Sequence, residues 1–157
     1  MLSRLGPRFL AAHHLLNKPH LPKGRSNNDA RLIHREPLRI MTCRIITLTS
    51  DFGLKGPYVA SMKGVILGIN AEACVVDISH EVSPRNVREA ALYLKATCPH
   101  FPPSTIHVAV VDPGVGTDRR LLYVHMHGQH FLAPDNGLLS WASQGAERIE
   151  FDMRVCG

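Results

Sequence analysis

Short runs of apolar residues recur along residues 45–151, and they follow two different periods. Some are β-branched runs of strand length; between them, apolar residues return every three or four positions, as on one face of a helix. The pattern predicts strands at residues 45–48, 74–78, 105–111, 121–125, 130–133 and 148–151. It also predicts helices that follow Pro57 and Asn86, and a short helix at residues 138–142.

The order of these elements favours an α/β fold, in which a mostly parallel sheet is flanked by helices. The chain has 157 residues, a usual length for one domain. Residues 105–111 are almost continuously apolar, so we expect this strand to be buried on both faces. Cys74 lies in another apolar strand, where we expect it to be a small buried hydrophobic residue.

An acidic residue stands just past the end of four apolar runs. These residues are Asp51, Asp77, Asp112 and Asp135, and a glycine follows closely after three of them. In open α/β sheets, ligands bind beyond the carboxyl ends of the strands. The sequence therefore predicts that the four turns share one edge of the sheet and form a single site.

The first 40 residues differ from the rest in charge. They contain 8 Lys or Arg and 2 acidic residues, a net charge of +6. Residues 41–157 contain 10 Lys or Arg and 11 acidic residues, a net charge of −1. An acid-poor, Arg-bearing amphipathic start is typical of an organellar transit peptide, and translation from Met41 is an equal alternative. Either way, we expect residues 1–40 to be disordered and residues 41–157 to form the domain. The expected location is the cytoplasm, or a mitochondrion or plastid if the transit peptide is genuine.

The domain has no net positive charge, which argues against nucleic-acid binding, since that needs clustered Lys and Arg. No apolar stretch approaches the ~20 residues that span a bilayer, so no membrane partner is expected. The four cysteines are Cys43, Cys74, Cys98 and Cys156. Since no two of them have a Cys-x-x-Cys spacing, a zinc site is not expected, and a reducing compartment fits.

Asp51 has two possible roles from its position alone. A carboxylate in a strand-to-helix turn can accept hydrogen bonds from two ribose hydroxyls, as in dinucleotide-binding folds. Asp also commonly caps a turn or a helix in any protein. The spacing slightly favours this second, structural role.

Residues 112–119 combine an acid, a tight turn and a base. Pro113 and two glycines let the backbone turn sharply after Asp112 and approach a ligand closely. Arg119 follows seven residues later, near enough to pair with Asp112 if the loop folds back. Such a pair could orient a water molecule and make it more acidic. A structural ion pair that supports a glycine-rich loop is equally compatible with the spacing.

The histidines offer weaker candidates. Asp77 and His80 could form a metal pair, but a His packed beneath a strand-end Asp is the commoner arrangement. His125, His127 and His130 alternate through the fourth and fifth predicted strands, where surface histidines are commoner than metal ligands. No metal site is therefore predicted.

Several motifs together resemble the S-adenosyl-L-methionine hydroxide adenosyltransferases, a family related to fluorinating and chlorinating enzymes that use the same substrate. The motifs stand in the family's order over residues 45–152, at residues 47–53, 56–64, 76–80, 110–120 and 133–139. The resemblance implies an α/β N-terminal domain and the hydrolysis of S-adenosyl-L-methionine to adenosine and L-methionine. It implies no cofactor beside the substrate.

The resemblance also implies roles for individual residues. The residue matching Asp51 holds the ribose hydroxyls. The residues matching Asp112 and Arg119 belong to an Asp–Arg–His set that positions and activates the attacking water. Asp135 and Asn136 are assigned to substrate binding. In the halogenating relatives the position of Asp112 is not acidic, so water is the expected nucleophile here.

The family normally continues into a second, β-rich domain, and its sites form between subunits of a trimer. The His of the water-activating set lies in a later Phe-His-Gly-Arg-Asp segment that is absent from residues 1–157, and His127 has no matching motif. We therefore expect an N-terminal domain only, in a homo-oligomer. Two functions stay open: the hydrolase, or a non-catalytic module that binds adenosine or S-adenosyl-L-methionine or assembles with full-length subunits. A metal hydrolase that uses Asp51, Asp77 and Asp112 is a more distant alternative.

Overall fold

The computed structural model describes residues 43–114, 116–142 and 145–151. Within these residues six strands form one sheet, and a helix packs on each face. The strands are β1 (Ile45–Ser50), β2 (Cys74–Ser79), β3 (Ile106–Val110), β4 (Leu121–Met126), β5 (Gln129–Pro134) and β6 (Ala146–Phe151). The helices are α1 (Tyr58–Ile69) and α2 (Val87–Thr97), and single 3₁₀ turns lie at Cys98–His100 and Ser140–Ala142.

The strand order across the sheet is β2-β1-β3-β5-β4-β6. The first four of these pair in parallel, whereas β4 is antiparallel to both β5 and β6. The prediction of an α/β fold with a mostly parallel sheet is confirmed. The predicted short helix at residues 138–142 is present as a 3₁₀ helix at Ser140–Ala142, with hydrogen bonds from Ser140 to Gly137 and from Ala142 to Leu139.

The two faces of the sheet bury separate apolar clusters, one under each helix. On the α1 face the buried residues are Ile46, Leu48, Met62, Ile66 and Ile106. The larger cluster on the α2 face includes Ala90, Leu94, Val111, Val124 and Phe131. Leu48 and Phe131 are almost fully buried, and burial of a side chain of that size stabilises a fold by about 1.5–3 kcal/mol. These clusters pack against both faces of the strands whose ends carry the acids.

β2 is an edge strand, and two expectations are wrong there. Cys74 is exposed rather than buried, because β2 has a neighbour only on its β1 side and Cys74 opens the strand. Asp77 lies inside β2 rather than past its end. Asp77 pairs with Leu48, and after a register shift the strand continues to Ser79, which pairs with Thr49.

β2 and β3 lie on opposite sides of β1. The connection from β1 to β2 and the connection from β2 to β3 therefore separate beside the carboxyl end of β1, which is where α/β folds commonly bind ligands. Asp51, Asp112 and Asp135 follow the ends of β1, β3 and β5, which are parallel neighbours. The predicted gathering of acidic turns at one edge is confirmed for these three.

Several expectations concern residues outside the described ones: the leader at residues 1–40, the alternative start at Met41, Val115 of the glycine-rich loop, and Cys156. Within the described parts of the chain, neither helix has the length and apolar character that a bilayer crossing needs.

β3 has buried residues on both faces, as expected, and one of them is polar. His107 Nδ1 lies 2.7 Å from Thr47 Oγ1 on β1. Its ring stacks on Phe131 with the ring centroids 4.8 Å apart. Burial lowers the pKa of His107 from 6.5 to about 4, and a contact with the side chain of Gln129 offsets this only in part. The imidazole is therefore neutral in the folded protein at neutral pH.

The folded protein is expected to lose stability as the pH falls from 6.5 to 4. In this window the unfolded chain protonates His107 and the folded protein does not, so added protons favour unfolding; above pH 6.5 both states are neutral and the contribution is constant. The complete loss for this residue is about 3 kcal/mol. Urea unfolding at several pH values measures it. His107→Asn, which keeps a polar group near Thr47, should be less stable at neutral pH but less sensitive to acid, and equal pH slopes in both proteins would contradict the assignment.

Candidate active site

Asp51 comes directly after β1, where the chain leaves the sheet. Its Oδ2 accepts a 2.8 Å hydrogen bond from the backbone N–H of Arg85, in the loop that leads to α2. Arg85 has a φ of 64°, a left-handed conformation that is uncommon for a residue other than glycine. Asp51 thus caps a turn, as the structural alternative predicts, but the turn belongs to the next crossover. The cap uses only Oδ2 of the carboxylate, so it is compatible with a ligand contact through Oδ1.

Asp112 and Arg119 meet beyond the end of β3, which confirms that the loop folds back. Arg119 Nε lies 3.0 Å from Asp112 Oδ1, and the same oxygen accepts the Gly114 N–H at 2.8 Å. The Nε–H direction is not aligned with this oxygen, so the contact is an ion pair rather than a formed hydrogen bond. The Asp112 side chain is 10% exposed and the Arg119 side chain 33%. The acid is therefore largely enclosed, while the base reaches the surface.

Gly114 allows the guanidinium of Arg119 to lie directly over the backbone of the turn. A Cβ atom at residue 114 would be 2.6 Å from Arg119 Nη2 and 3.0 Å from Nε, closer than side chains tolerate. Arg119 Nη1 also donates to the Asp135 carbonyl at 3.2 Å. The guanidinium thus joins the turn after β3 to the turn after β5.

Asp135 and Asn136 form the turn after β5. Arg120 Nη2 donates to Asp135 Oδ2 at 2.7 Å. Asn136 Nδ2 donates to the Val111 carbonyl at 2.8 Å, and its Oδ1 accepts the Leu138 N–H at 3.1 Å. Asn136 therefore ties the ends of β3 and β5 together, and a substrate contact by Asp135 or Asn136 stays a prediction.

A chain of polar side chains lies beneath the Asp51 turn. Ser50 Oγ is 2.7 Å from His80 Nδ1, His80 Nε2 is 3.0 Å from Asp77 Oδ1, and Lys63 Nζ is 2.6 Å from Asp77 Oδ2. Partial burial alone would raise the pKa of the Asp77 carboxyl, but its contacts with Lys63 and His80 outweigh this, so the pKa lies below its usual value. His80 packs beneath this acid, as expected.

Within the described residues, no group of three or more His, Cys, Asp or Glu side chains is placed to hold a metal ion. His125 and His130 stack across β4 and β5 with their ring centroids 4.9 Å apart. His127 lies in the turn between these strands, with a φ of 51°. The three histidines therefore do not converge on a common point.

Three features of this edge were missed by reasoning from the sequence. Lys63 lies on α1, and no local pattern links it to Asp77, which is 14 positions away. The bond from Ser50 to His80 spans 30 positions. The steric role of Gly114 depends on where Arg119 returns, although the two glycines in this loop do signal a close approach.

Comparison with known proteins identifies the family. Residues 46–155 match the model of the SAM hydroxide adenosyltransferase N-terminal domain. The chain belongs to this family. The turns after β1, β3 and β5 all lie in the matched segment of this SAM hydroxide adenosyltransferase domain.

Relatives of this SAM hydroxide adenosyltransferase domain include both hydrolases and halogenating enzymes. The (R)-S-adenosyl-L-methionine hydrolase of Methanocaldococcus jannaschii is 45% identical over 112 residues, which cover 67% of this chain and 42% of that protein. The fluorinase of Actinopolyspora mzabensis is 32% identical over 108 residues, 68% of this chain and 35% of that protein. A crystal structure of an uncharacterized conserved protein from Thermotoga maritima superimposes with a TM-score of 0.64 at 44% identity, covering 68% of this chain and 41% of that one. The chain thus spans less than half the length of these relatives.

Proposed function

We propose that this domain supplies the water-activating and ribose-holding groups for the hydrolysis of S-adenosyl-L-methionine to adenosine and L-methionine. The observation that carries the proposal is the ion pair of Asp112 and Arg119, at the edge of the sheet that also carries Asp51. A relative named as an S-adenosyl-L-methionine hydrolase, 45% identical to this chain, supports the same class of activity.

Each of the three residues has a separate task in the proposed reaction. Asp51 accepts hydrogen bonds from the ribose hydroxyls through the oxygen that Arg85 does not use. Asp112 accepts a hydrogen bond from a water molecule and orients it toward ribose C5′. Arg119 holds Asp112 in place, and its positive charge favours partial deprotonation of that water. Asp135 and Asn136 would border the substrate from the turn after β5.

The proposed chemistry needs no general acid. The water oxygen forms a bond to C5′ while the bond from C5′ to sulfur breaks, and methionine leaves as a neutral thioether with the bonding electron pair. The proton lost by the water passes to Asp112 or to solvent. Because the leaving group is already activated as a sulfonium, catalysis depends on alignment of oxygen, carbon and sulfur.

Two other outcomes are alternatives to hydrolysis. Halide attack on the same carbon is suggested by the fluorinase relative. Asp112 argues against it, since a carboxylate in a dehydrated halide pocket would repel the anion. A module that binds adenosine or S-adenosyl-L-methionine without converting it is the second candidate, since Asp51 could bind ribose whether or not water is activated.

Incubation of the full chain with S-adenosyl-L-methionine in water labelled with heavy oxygen tests the proposal. The expected products are adenosine with the label in its 5′-hydroxyl and unlabelled methionine. Added fluoride or chloride should yield no 5′-halogenated nucleoside. Binding measured by calorimetry without any adenosine release would support the binding module and reject catalysis. If the protein shows no turnover and no binding, both functions are rejected.

A further inference from the structure

Residues 80–85, between β2 and α2, hold the turn that carries Asp51. Four hydrogen bonds join this segment to residues 50–54. The side chains of Ser50 and His80 are bonded to each other (2.7 Å), and the Gly53 N–H donates to the His80 carbonyl (2.8 Å). The Leu54 N–H donates to the Glu81 carboxylate (2.9 Å), and the Arg85 N–H donates to the Asp51 carboxylate (2.8 Å). His80 makes two of these four bonds, one through its ring and one through its carbonyl, and the two bonds lie on either side of Asp51.

The ring of His80 is enclosed, with Nδ1 hydrogen-bonded to Ser50 Oγ at 2.7 Å and Nε2 in a 3.0 Å contact with Asp77 Oδ1 that is not an aligned hydrogen bond. Its side chain is only 1% exposed. Ser50 Oγ also accepts the Phe52 N–H at 3.4 Å. A ring proton on Nε2 would face the carboxylate of Asp77, and Nδ1 would then accept the Ser50 O–H. Asp77 in turn is held by Lys63 at 2.6 Å.

We propose that His80 is a positioning residue for the carboxylate of Asp51. His80 lies between Asp77 on β2 and the residues Ser50 and Gly53, and its contacts hold these two residues in place. Ser50 and Gly53 flank Asp51 and so determine the direction in which the Asp51 side chain leaves the end of β1. The inference rests on the proposed function for its ligand, because ribose is the group that Asp51 would bind. It predicts a selective defect in ribose recognition when His80 is lost.

Water activation should not depend on His80. Asp112 and Arg119 are held by Gly114 and by the carbonyl of Asp135, in the turns after β3 and β5. None of these contacts involves the segment after β2. A His80 variant is therefore expected to raise KM more than it lowers kcat.

A displaced Asp51 carboxylate has a chemical signature that a general loss of stability lacks. Removal of the ribose 2′-hydroxyl from a ligand deletes a hydrogen bond only where the carboxylate is in place to accept it. The ratio of the Kd values for 2′-deoxyadenosine and adenosine therefore reports the position of Asp51. Partial unfolding would weaken both affinities by the same factor and leave the ratio unchanged.

The experiment measures both Kd values by calorimetry on the full chain. The wild-type protein is expected to prefer adenosine roughly tenfold or more, the effect of a hydrogen bond to a charged group. His80→Ala should bring the ratio close to that of Asp51→Ala, whereas His80→Asn, whose amide can reach Ser50, should restore most of it. His107→Asn is the matched control, since His107 is also buried and its Nδ1 also lies 2.7 Å from a β1 hydroxyl; it should leave the ratio unchanged.

An unchanged preference in a folded His80→Ala protein would overturn the proposal, and so would an equal loss of preference in His107→Asn. The amide proton resonance of Arg85, which bonds the Asp51 carboxylate, gives a second readout that needs no ligand. His80→Ala should move this resonance toward its position in Asp51→Ala, and an unmoved resonance would reject the positioning role. If the wild-type protein binds no nucleoside while the resonance moves as expected, the proposed function fails and the role of His80 stands.

Discussion

Replacement of Asp112 by Asn is expected to lower the rate of adenosine formation by about 10²–10⁴-fold, the usual contribution of a general base. Asn keeps the size of the side chain and can still accept the Gly114 N–H, so the turn should stay folded. What is lost is the negative charge beside Arg119 and the capacity to take a proton from water. Initial rates of adenosine release, measured by chromatography at saturating S-adenosyl-L-methionine, give the size of the effect.

Asp118→Asn is the matched control for this experiment. Asp118 is an acid in the same loop, but it is exposed, and no ion pair with Arg119 involves it. Its rate should equal that of the wild-type protein. A full rate in Asp112→Asn would show that Asp112 activates no water, and a similar loss in both variants would point to the total charge of the loop.

Replacement of Gly114 by Ala is expected to push Arg119 away from Asp112 and to lower the rate about 10²-fold, the typical cost of a misplacement of about 1 Å in a catalytic group. The new methyl group would lie 2.6 Å from Arg119 Nη2, and the guanidinium cannot stay where it is. The acid itself is unchanged, so the variant separates the role of the pair from the role of Asp112 alone. Rate measurements and a crystal structure of the variant would show both the loss and the movement.

Gly64→Ala provides the comparison for the added methyl group. Gly64 lies in α1, and a Cβ atom there meets no atom within 4 Å. The substitution should leave the rate unchanged and stabilise the protein by about 0.5–1 kcal/mol, because alanine favours the helix over glycine. Wild-type activity in Gly114→Ala, with Arg119 still against Asp112, would refute the steric argument.

Several parts of the site could be predicted from the sequence because they depend on local signals. The apolar runs that form β1, β3 and β5 are each followed by a turn at the carboxyl edge, so Asp51, Asp112 and Asp135 reach the same edge. The return of Arg119 to Asp112 is compatible with local chain geometry, since two glycines within seven residues permit a tight turn, and the structure shows that the loop folds back.

The wrong expectations have a common physical cause. The apolar run around residues 74–78 looks like an interior strand, which predicts a buried Cys74, and it looks short enough to leave Asp77 at its end. Their surroundings are set by the edge position of β2 and by the register shift opposite Leu48 and Thr49. No single segment of the chain encodes either feature, because both depend on which strand pairs with which.

Local pattern was thus sufficient for the elements, the fold class and the three acidic turns of this SAM hydroxide adenosyltransferase domain. The partners of the acidic side chains required the folded chain. Asp51 meets an amide 34 positions away and Asp77 a lysine 14 positions away. Such contacts form only after the crossovers have packed β2 beside β1 and α1 against both strands. Local turns join residues that are close in the sequence, whereas these contacts join residues that only long-range packing brings together.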